Sequence, residues 1–263
     1  MHYIDAHCHL NHPRLLNRTE EILELCEREN VKTLVVVGYD EKTNKAALEL
    51  LEKYKENKYG IKLFISFGFH PKLISEEKWR IKFSRFLEFL DEHKQEFSFI
   101  GEVGLDYYWV KAVIYRQAQL SALKELLELA NEKRKPVIIH CRNAWKEFIA
   151  FAKEQEVKVP LILHAFSGSK GDVRNLKALS TRIYFSFATN VVRNRSYAQV
   201  MKVVPLHRLL LETDSPYLSP DSEENLPHKV VQAYKFAAET FSLDIGKLKT
   251  LVYSNFYQLV NES

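Results

Sequence analysis

Eight short apolar runs, each followed by a longer polar or amphipathic stretch, constrain this chain more than any other feature. The runs are YIDAHC (3–8), TLVVVG (33–38), LFISFG (63–68), FSFIGEV (97–103), PVIIHC (136–141), PLILHA (160–165), IYFSFA (183–188) and RLLLET (208–213). They are short and rich in β-branched and aromatic residues, as expected of strands buried on both faces. The intervening stretches carry a helical period. Residues 20–30 place Ile22, Leu23, Leu25 and Cys26 toward one side, and residues 115–133 place Leu120, Leu123, Leu127 and Ala130 on one face. Strictly alternating strands and helices predict parallel strands joined by crossover helices.

Eight such units in 263 residues match the usual size of a (β/α)8 TIM barrel, about 250 residues. A doubly wound open sheet is the competing architecture. It is disfavoured because no glycine-rich nucleotide loop follows the first strand. No repeat, low-complexity tract or linker interrupts the chain, and only eight Gly and eight Pro occur. A single domain spanning 1–263 is therefore expected.

Composition narrows the setting. With 46% apolar and 27% charged residues, the chain has a soluble, globular balance. No apolar run approaches the roughly 18 residues of a membrane span, and the N-terminus has no basic-then-apolar leader. Three cysteines (Cys8, Cys26, Cys141) are an odd number without a CxxC pair, which predicts a reducing, cytoplasmic setting. The expected state is a monomer, off the membrane. A net charge of +4 is too mild to demonstrate nucleic-acid binding, but it permits an anionic substrate held by a local basic rim.

In barrels of this kind the chemistry sits at the C-terminal ends of the strands. His7 and His9 in IDAHCH are two residues apart, so a strand points both imidazoles the same way, with Cys8 facing the opposite side as a small buried apolar residue. Glu102 lies in the fourth run, and His140, His164 and Asp214 lie where the fifth, sixth and eighth runs stop. Burying one such group costs free energy unless it is paired or metal-bound. One could be a satisfied core hydrogen bond, but six at one rim are better explained as ligands. Four imidazoles and two carboxylates suit two divalent transition ions such as zinc or manganese. Glu102 is the candidate bridge, and Asp214 can both bind a metal and accept a proton from an activated water.

The blocks DAHCHL, GFHP, IGEVGLDYY, PVIIHCRNAW, HAFSGS and LLLETDSPYLSP resemble, in this order, those of the TatD family of metal-dependent deoxyribonucleases. The resemblance implies a (β/α)8 hydrolase acting on DNA, as a 3′–5′ exonuclease, with RNA as a further substrate of some members. It implies two divalent ions (Zn, Mn or Mg). One would be held by His7, His9, Glu102 and Asp214, and the other by Glu102, His140 and His164. It also places His70, of GFHP, beside the substrate.

Three departures from the family pattern stand out. Asn11 follows HCHL where Asp is common. Asn143 replaces the Asp of Arg-Asp-Ala, which predicts the loss of a carboxylate beside the ligands. An Arg-Gly pair usual before Asn225 and Pro227 is missing, so a phosphate contact must come from elsewhere. Arg142, two residues past a ligand, is the leading substitute, with Lys72, Lys170 and Arg193 behind it. Tyr107, Tyr108 and Trp109 could stack a base, with packing expected to claim at least two of the three. An amide, ester or aminoacyl hydrolase on the same barrel is the alternative activity. A non-catalytic binding module would not need all six ligands.

Overall fold

The computed structural model describes residues 1–261. Its eight strands are β1 (Tyr3–Cys8), β2 (Val31–Val37), β3 (Lys62–Phe67), β4 (Phe99–Asp106), β5 (Val137–Arg142), β6 (Leu161–Leu163), β7 (Ile183–Ala188) and β8 (Leu209–Glu212). They are parallel and hydrogen-bonded in sequence order from β1 to β8. This is the (β/α)8 barrel the alternation predicts. The first and seventh runs coincide with β1 and β7, and the boundaries of the other six shift by one to three residues. β6 is only three residues long, so His164 lies just past its end, and Asp214 lies two residues beyond β8.

The strands are apolar on both faces because helices cover the outside and side chains fill the inside. Phe99, Phe185, Phe187, Val137 and Leu211 are fully buried. Truncating one such phenylalanine to alanine would cost about 3–5 kcal/mol in lost transfer energy and residual cavity. The helix at Val113–Lys133 buries Ala122, Leu123, Leu126, Leu127 and Ala130, whereas Leu120 is only partly buried. Its inner face is thus rotated from the expected one, because Gln119 is drawn inward. The Gln119 side chain accepts from the Asp106 backbone N–H (3.0 Å) and donates to the Pro71 carbonyl (3.0 Å). No described helix is long and apolar enough to cross a membrane.

Two local devices fix the rim where the site forms. Asp40 and Thr43 make a reciprocal capping box that starts the helix at Glu41–Tyr54, directly after β2. Gly68, just past β3, packs against the backbone of Gly38, Gly101 and Glu102, where a Cβ would collide. Only glycine lets β3 and β4 approach closely enough to bring Glu102 under the rim.

The seam between β8 and β1 is closed largely by one buried side chain. Asp5 accepts from the Thr213 N–H (2.8 Å), the Thr213 hydroxyl (2.6 Å) and the His7 N–H (3.3 Å). Burial raises the Asp5 carboxyl well above the ordinary carboxylate range, opposed by the Thr213 bonds. Beyond it, the Asp214 N–H donates to the His7 carbonyl (2.9 Å) and the His9 N–H to the Ser215 carbonyl (2.8 Å).

Candidate metal centre

All six predicted ligands converge. His7 Nε2 and His9 Nε2 lie 3.3 Å apart, and Asp214 Oδ1 stands 3.6 Å from the first and 3.3 Å from the second. Across the barrel, His140 Nδ1 and His164 Nε2 also face each other at 3.3 Å. Glu102 lies between the two groups. Its Oε2 is 3.9 Å from His7 Nε2 and 3.8 Å from His9 Nε2. Its Oε1 is 2.5 Å from His140 Nδ1 and 3.0 Å from His164 Nε2. One carboxylate therefore offers one oxygen to each set. Asp214 reaches the centre from a left-handed backbone conformation (φ 56°). That conformation costs a non-glycine residue free energy and is held here by the Tyr217 N–H on its carbonyl (2.8 Å).

The electrostatics follow from crowding. Burial, reinforced by the neighbouring His164 and His9, holds His7 well below the ordinary imidazole value. Burial pushes Glu102 up, but His164, His140 and His70 outweigh it and hold the carboxyl well below its usual range. His164 is buried too, which disfavours its charge, yet Glu102 and Glu212 raise it well above the ordinary value. In each set, two imidazole nitrogens converge beside carboxylate oxygens, with His7, His9 and His164 buried and His140 half-buried. A bound cation relieves lone-pair repulsion of this kind, and an imidazole–carboxylate donor set suits a borderline divalent ion. The residues present fit the metals the sequence implies.

Three carboxylates outside the predicted set complete the centre. Asp106 Oδ2 lies 3.1 Å from His140 Nε2. Glu212 is fully buried; its Oε1 accepts from the Ala165 N–H (2.7 Å) and lies 3.4 Å from His164 Nδ1. Asp5 holds the seam beneath His7. By contrast, His9 Nδ1 meets only a backbone oxygen, that of Val37 (2.8 Å). The signal for these acids was present: Asp5, Asp106 and Glu212 stand at even offsets from His7, Glu102 and Asp214, the spacing that returns a strand to the same face.

The Asn143 departure predicted the loss of a carboxylate beside the candidate ligands; position 143 carries none, and the carboxylate that stands against His140 is Asp106. Asn143 is exposed and sits at φ 55°, a conformation asparagine tolerates better than most residues. Asn11 is buried and donates to the carbonyls of Val37 (3.1 Å) and Thr43 (2.8 Å), bonds an ionised aspartate could not make. Asn225 donates to the Thr189 hydroxyl and to the carbonyls of Thr213 and Tyr217, so it shapes the loop after β8.

The centre opens into a cleft of about 730 Å³ whose walls include His70, Lys72, Trp109, Arg142 and Tyr217. His70 Nδ1 accepts the Lys72 N–H (3.0 Å), and Nε2 stands 3.5 Å from Glu102 Oε1. Burial beside His140 holds His70 down to about 3. Its ring is neutral, with the proton on Nε2. Of the four candidate cations, Arg142 and Lys72 line the cleft, while Lys170 and Arg193 do not. Only Tyr107 of the three aromatics is buried; Tyr108 and Trp109 are exposed. Packing thus claims one ring rather than two, because the turn after β4 swings the other two outward.

A family model described as "TatD related DNase" matches residues 4–261. The chain is 29% identical over 263 residues to a Bacillus subtilis protein named "Uncharacterized metal-dependent hydrolase YabD", covering 98% of this chain and 96% of that one. Among solved structures, a hydrolase TatD family protein from Entamoeba histolytica superposes with a TM-score of 0.88 at 20% identity, covering 100% and 99% of the two chains. YJJV, a TatD homolog from Escherichia coli, gives 0.86 at 22% identity, covering 98% of each chain. At these identities the two structures establish the shared fold.

Proposed function

Since this chain belongs to the TatD related DNase family and is a metal-dependent hydrolase, we propose that it cleaves phosphodiester bonds at DNA ends with a two-metal centre. The single observation that carries the reading is the division of the Glu102 oxygens, one toward His7 and His9 and the other toward His140 and His164. In this reading His7, His9, Asp214 and Glu102 would hold one ion, and Glu102, His140 and His164 would hold the other. When bound, two such ions lower the pKa of a water toward neutrality and offset charge on the scissile phosphate.

The chain's own groups do the rest. Asp214 takes the proton from the attacking water. His70 is locked with Nε2–H toward the cleft and donates to a phosphate oxygen. Its low basicity unsuits it as the general base. Arg142 supplies the phosphate contact missing from the loop after β8. Asp106 and Glu212 hold the rings of His140 and His164 and raise their basicity.

A phosphodiester is favoured over an amide or ester because, among the described residues, the Arg142 and Lys72 side chains have no carboxylate partner. Free cations beside an open cleft suit a polyanion. The enzyme is read as a cytoplasmic monomer that trims DNA from the 3′ end, with RNA as a further substrate. The test is metal-stripped protein refilled with Mg, Mn or Zn and assayed on end-labelled DNA and RNA beside an ester and amide panel. Metal-dependent trimming of DNA is expected. Hydrolysis of esters or amides with intact DNA would replace the nuclease reading with the alternative.

A further inference from the structure

The turn after β4 carries two large exposed aromatic rings, Trp109 in the wall of the cleft and Tyr108 packed beside Trp109 and Arg142. Tyr108 and Trp109 are 41% and 57% exposed, and their centroids lie 4.8 Å apart at an interplanar angle of 84°. Leaving this much aromatic surface in water forgoes burial energy that a barrel could readily have gained. The rings sit among cations. The Arg142 guanidinium lies 4.1 Å from the Tyr108 centroid and 5.8 Å from that of Trp109. Lys72 Nζ lies 5.4 Å from the Trp109 centroid, and Lys111 Nζ lies 5.4 Å from that of Tyr108.

The rings are also tied to the metal centre. Asp106 Oδ2 faces His140, while Oδ1 accepts the backbone N–H groups of both Tyr108 (3.0 Å) and Trp109 (2.8 Å). One carboxylate thus fixes a candidate ligand and the aromatic turn relative to each other. Elsewhere along the cleft the acids are already engaged. Asp40, after β2, caps a helix, and Glu76, in the same loop as Lys72, is paired with Lys82 at 2.6 Å. The loop after β8 carries Asp221, Glu223 and Glu224, all ion-paired. Cations without a carboxylate partner therefore lie beside two exposed rings on the β3–β5 side, while a further exposed ring, Tyr217, lies in the loop after β8 with these ion-paired acids.

We propose that Tyr108 and Trp109 form a stacking shelf for unpaired nucleobases flanking the scissile phosphodiester, with Arg142 and Lys72 taking the neighbouring backbone phosphates. The proposal rests on the nuclease reading. Aromatic faces with adjacent cations are the chemistry by which single strands are held without sequence preference. A base paired in a duplex keeps both faces stacked on its neighbours and cannot use the shelf. The occupant is a single strand, or the frayed end of a duplex.

The test compares wild type, Trp109→Ala and Trp109→Phe in the metal-refilled protein. The substrates are a labelled single-stranded oligonucleotide and a set carrying one abasic residue moved along the strand. Trp109→Ala should raise KM by about 10-fold, the scale of one lost base stack, with kcat changed much less, and Trp109→Phe should restore most of it. An abasic residue at one position should cost wild type a similar factor and cost Trp109→Ala almost nothing further. Unchanged KM in Trp109→Ala, or the same abasic penalty in both proteins, would overturn the shelf. Fluorescence anisotropy of the same strands in metal-free buffer separates the two readings. A strand that binds wild type tightly and Trp109→Ala weakly but is never cut would keep the shelf and refute the nuclease activity. A strand that neither binds nor is cut would refute both.

Discussion

The two halves of the candidate metal centre are positioned by different means. His7 and His9 arrive together because a strand repeats every two residues, and His9 is steadied by a backbone carbonyl. His140 and His164 arrive from separate strands, with Asp106 and Glu212 beside their rings. The first half depends on the β1–β8 seam staying closed, the second on buried carboxylates. A histidine ring held by an acid is a more basic ligand than one held by a carbonyl. The halves should therefore fail differently when disturbed.

The largest effect is expected at Asp214, which belongs to the seam half. Asp214→Asn keeps the shape and a carbonyl ligand but cannot accept the proton of the attacking water. Single-turnover cleavage should slow by at least about 10²-fold, the usual scale of general-base loss, with an unaltered circular dichroism spectrum. Near-normal turnover in a folded, metal-loaded variant would remove Asp214 from the chemistry.

Asp5→Ala tests the seam itself. It strands the Thr213 N–H and hydroxyl and the His7 N–H in a buried site, so denaturant unfolding should show a loss of about 2 kcal/mol. Metal titration should show the His7–His9 site weakened more than the other. Equal weakening of both sites would mean that the seam does not set the first half.

Glu212→Gln probes the carboxylate half. Metal affinity at the His164 site should fall by roughly 10–100-fold, the cost of losing a carboxylate behind a ligating imidazole, with the His7–His9 site spared. The smallest effect is expected from Asn143→Asp. It restores the residue usual in the family at an exposed position remote in role from the ligands, so stability should move by no more than about 0.5 kcal/mol. Affinity titrations should be unchanged, and a clear gain would show that Asp106 does not fill that role.

How much of this was legible in the sequence follows the same division. The barrel was readable because eight buried strands leave eight apolar runs. The six candidate ligands were readable because each polar residue interrupts or ends such a run. His7 and His9 needed only strand period. The acids Asp5, Asp106 and Glu212 were not identified, although each shares the even spacing, because a sequence does not say which partner from another strand lies opposite. The inward turn of Gln119 was hidden for the same reason: its partners, Asp106 and Pro71, lie on other elements. The exposure of Tyr108 and Trp109 depends on a turn whose path is set by Asp106, so composition alone favoured packing.

The central claim is that Glu102 is shared between two metal ions. It is tested most directly by calorimetric titration of divalent metal into stripped wild-type and Glu102→Gln protein, with elemental analysis of the loaded forms. Wild type should bind two ions per chain, and Glu102→Gln should weaken both sites together because one carboxylate serves both. A wild type that binds one ion or none, or a Glu102→Gln variant that loses one site and keeps the other at full affinity, would contradict the shared carboxylate.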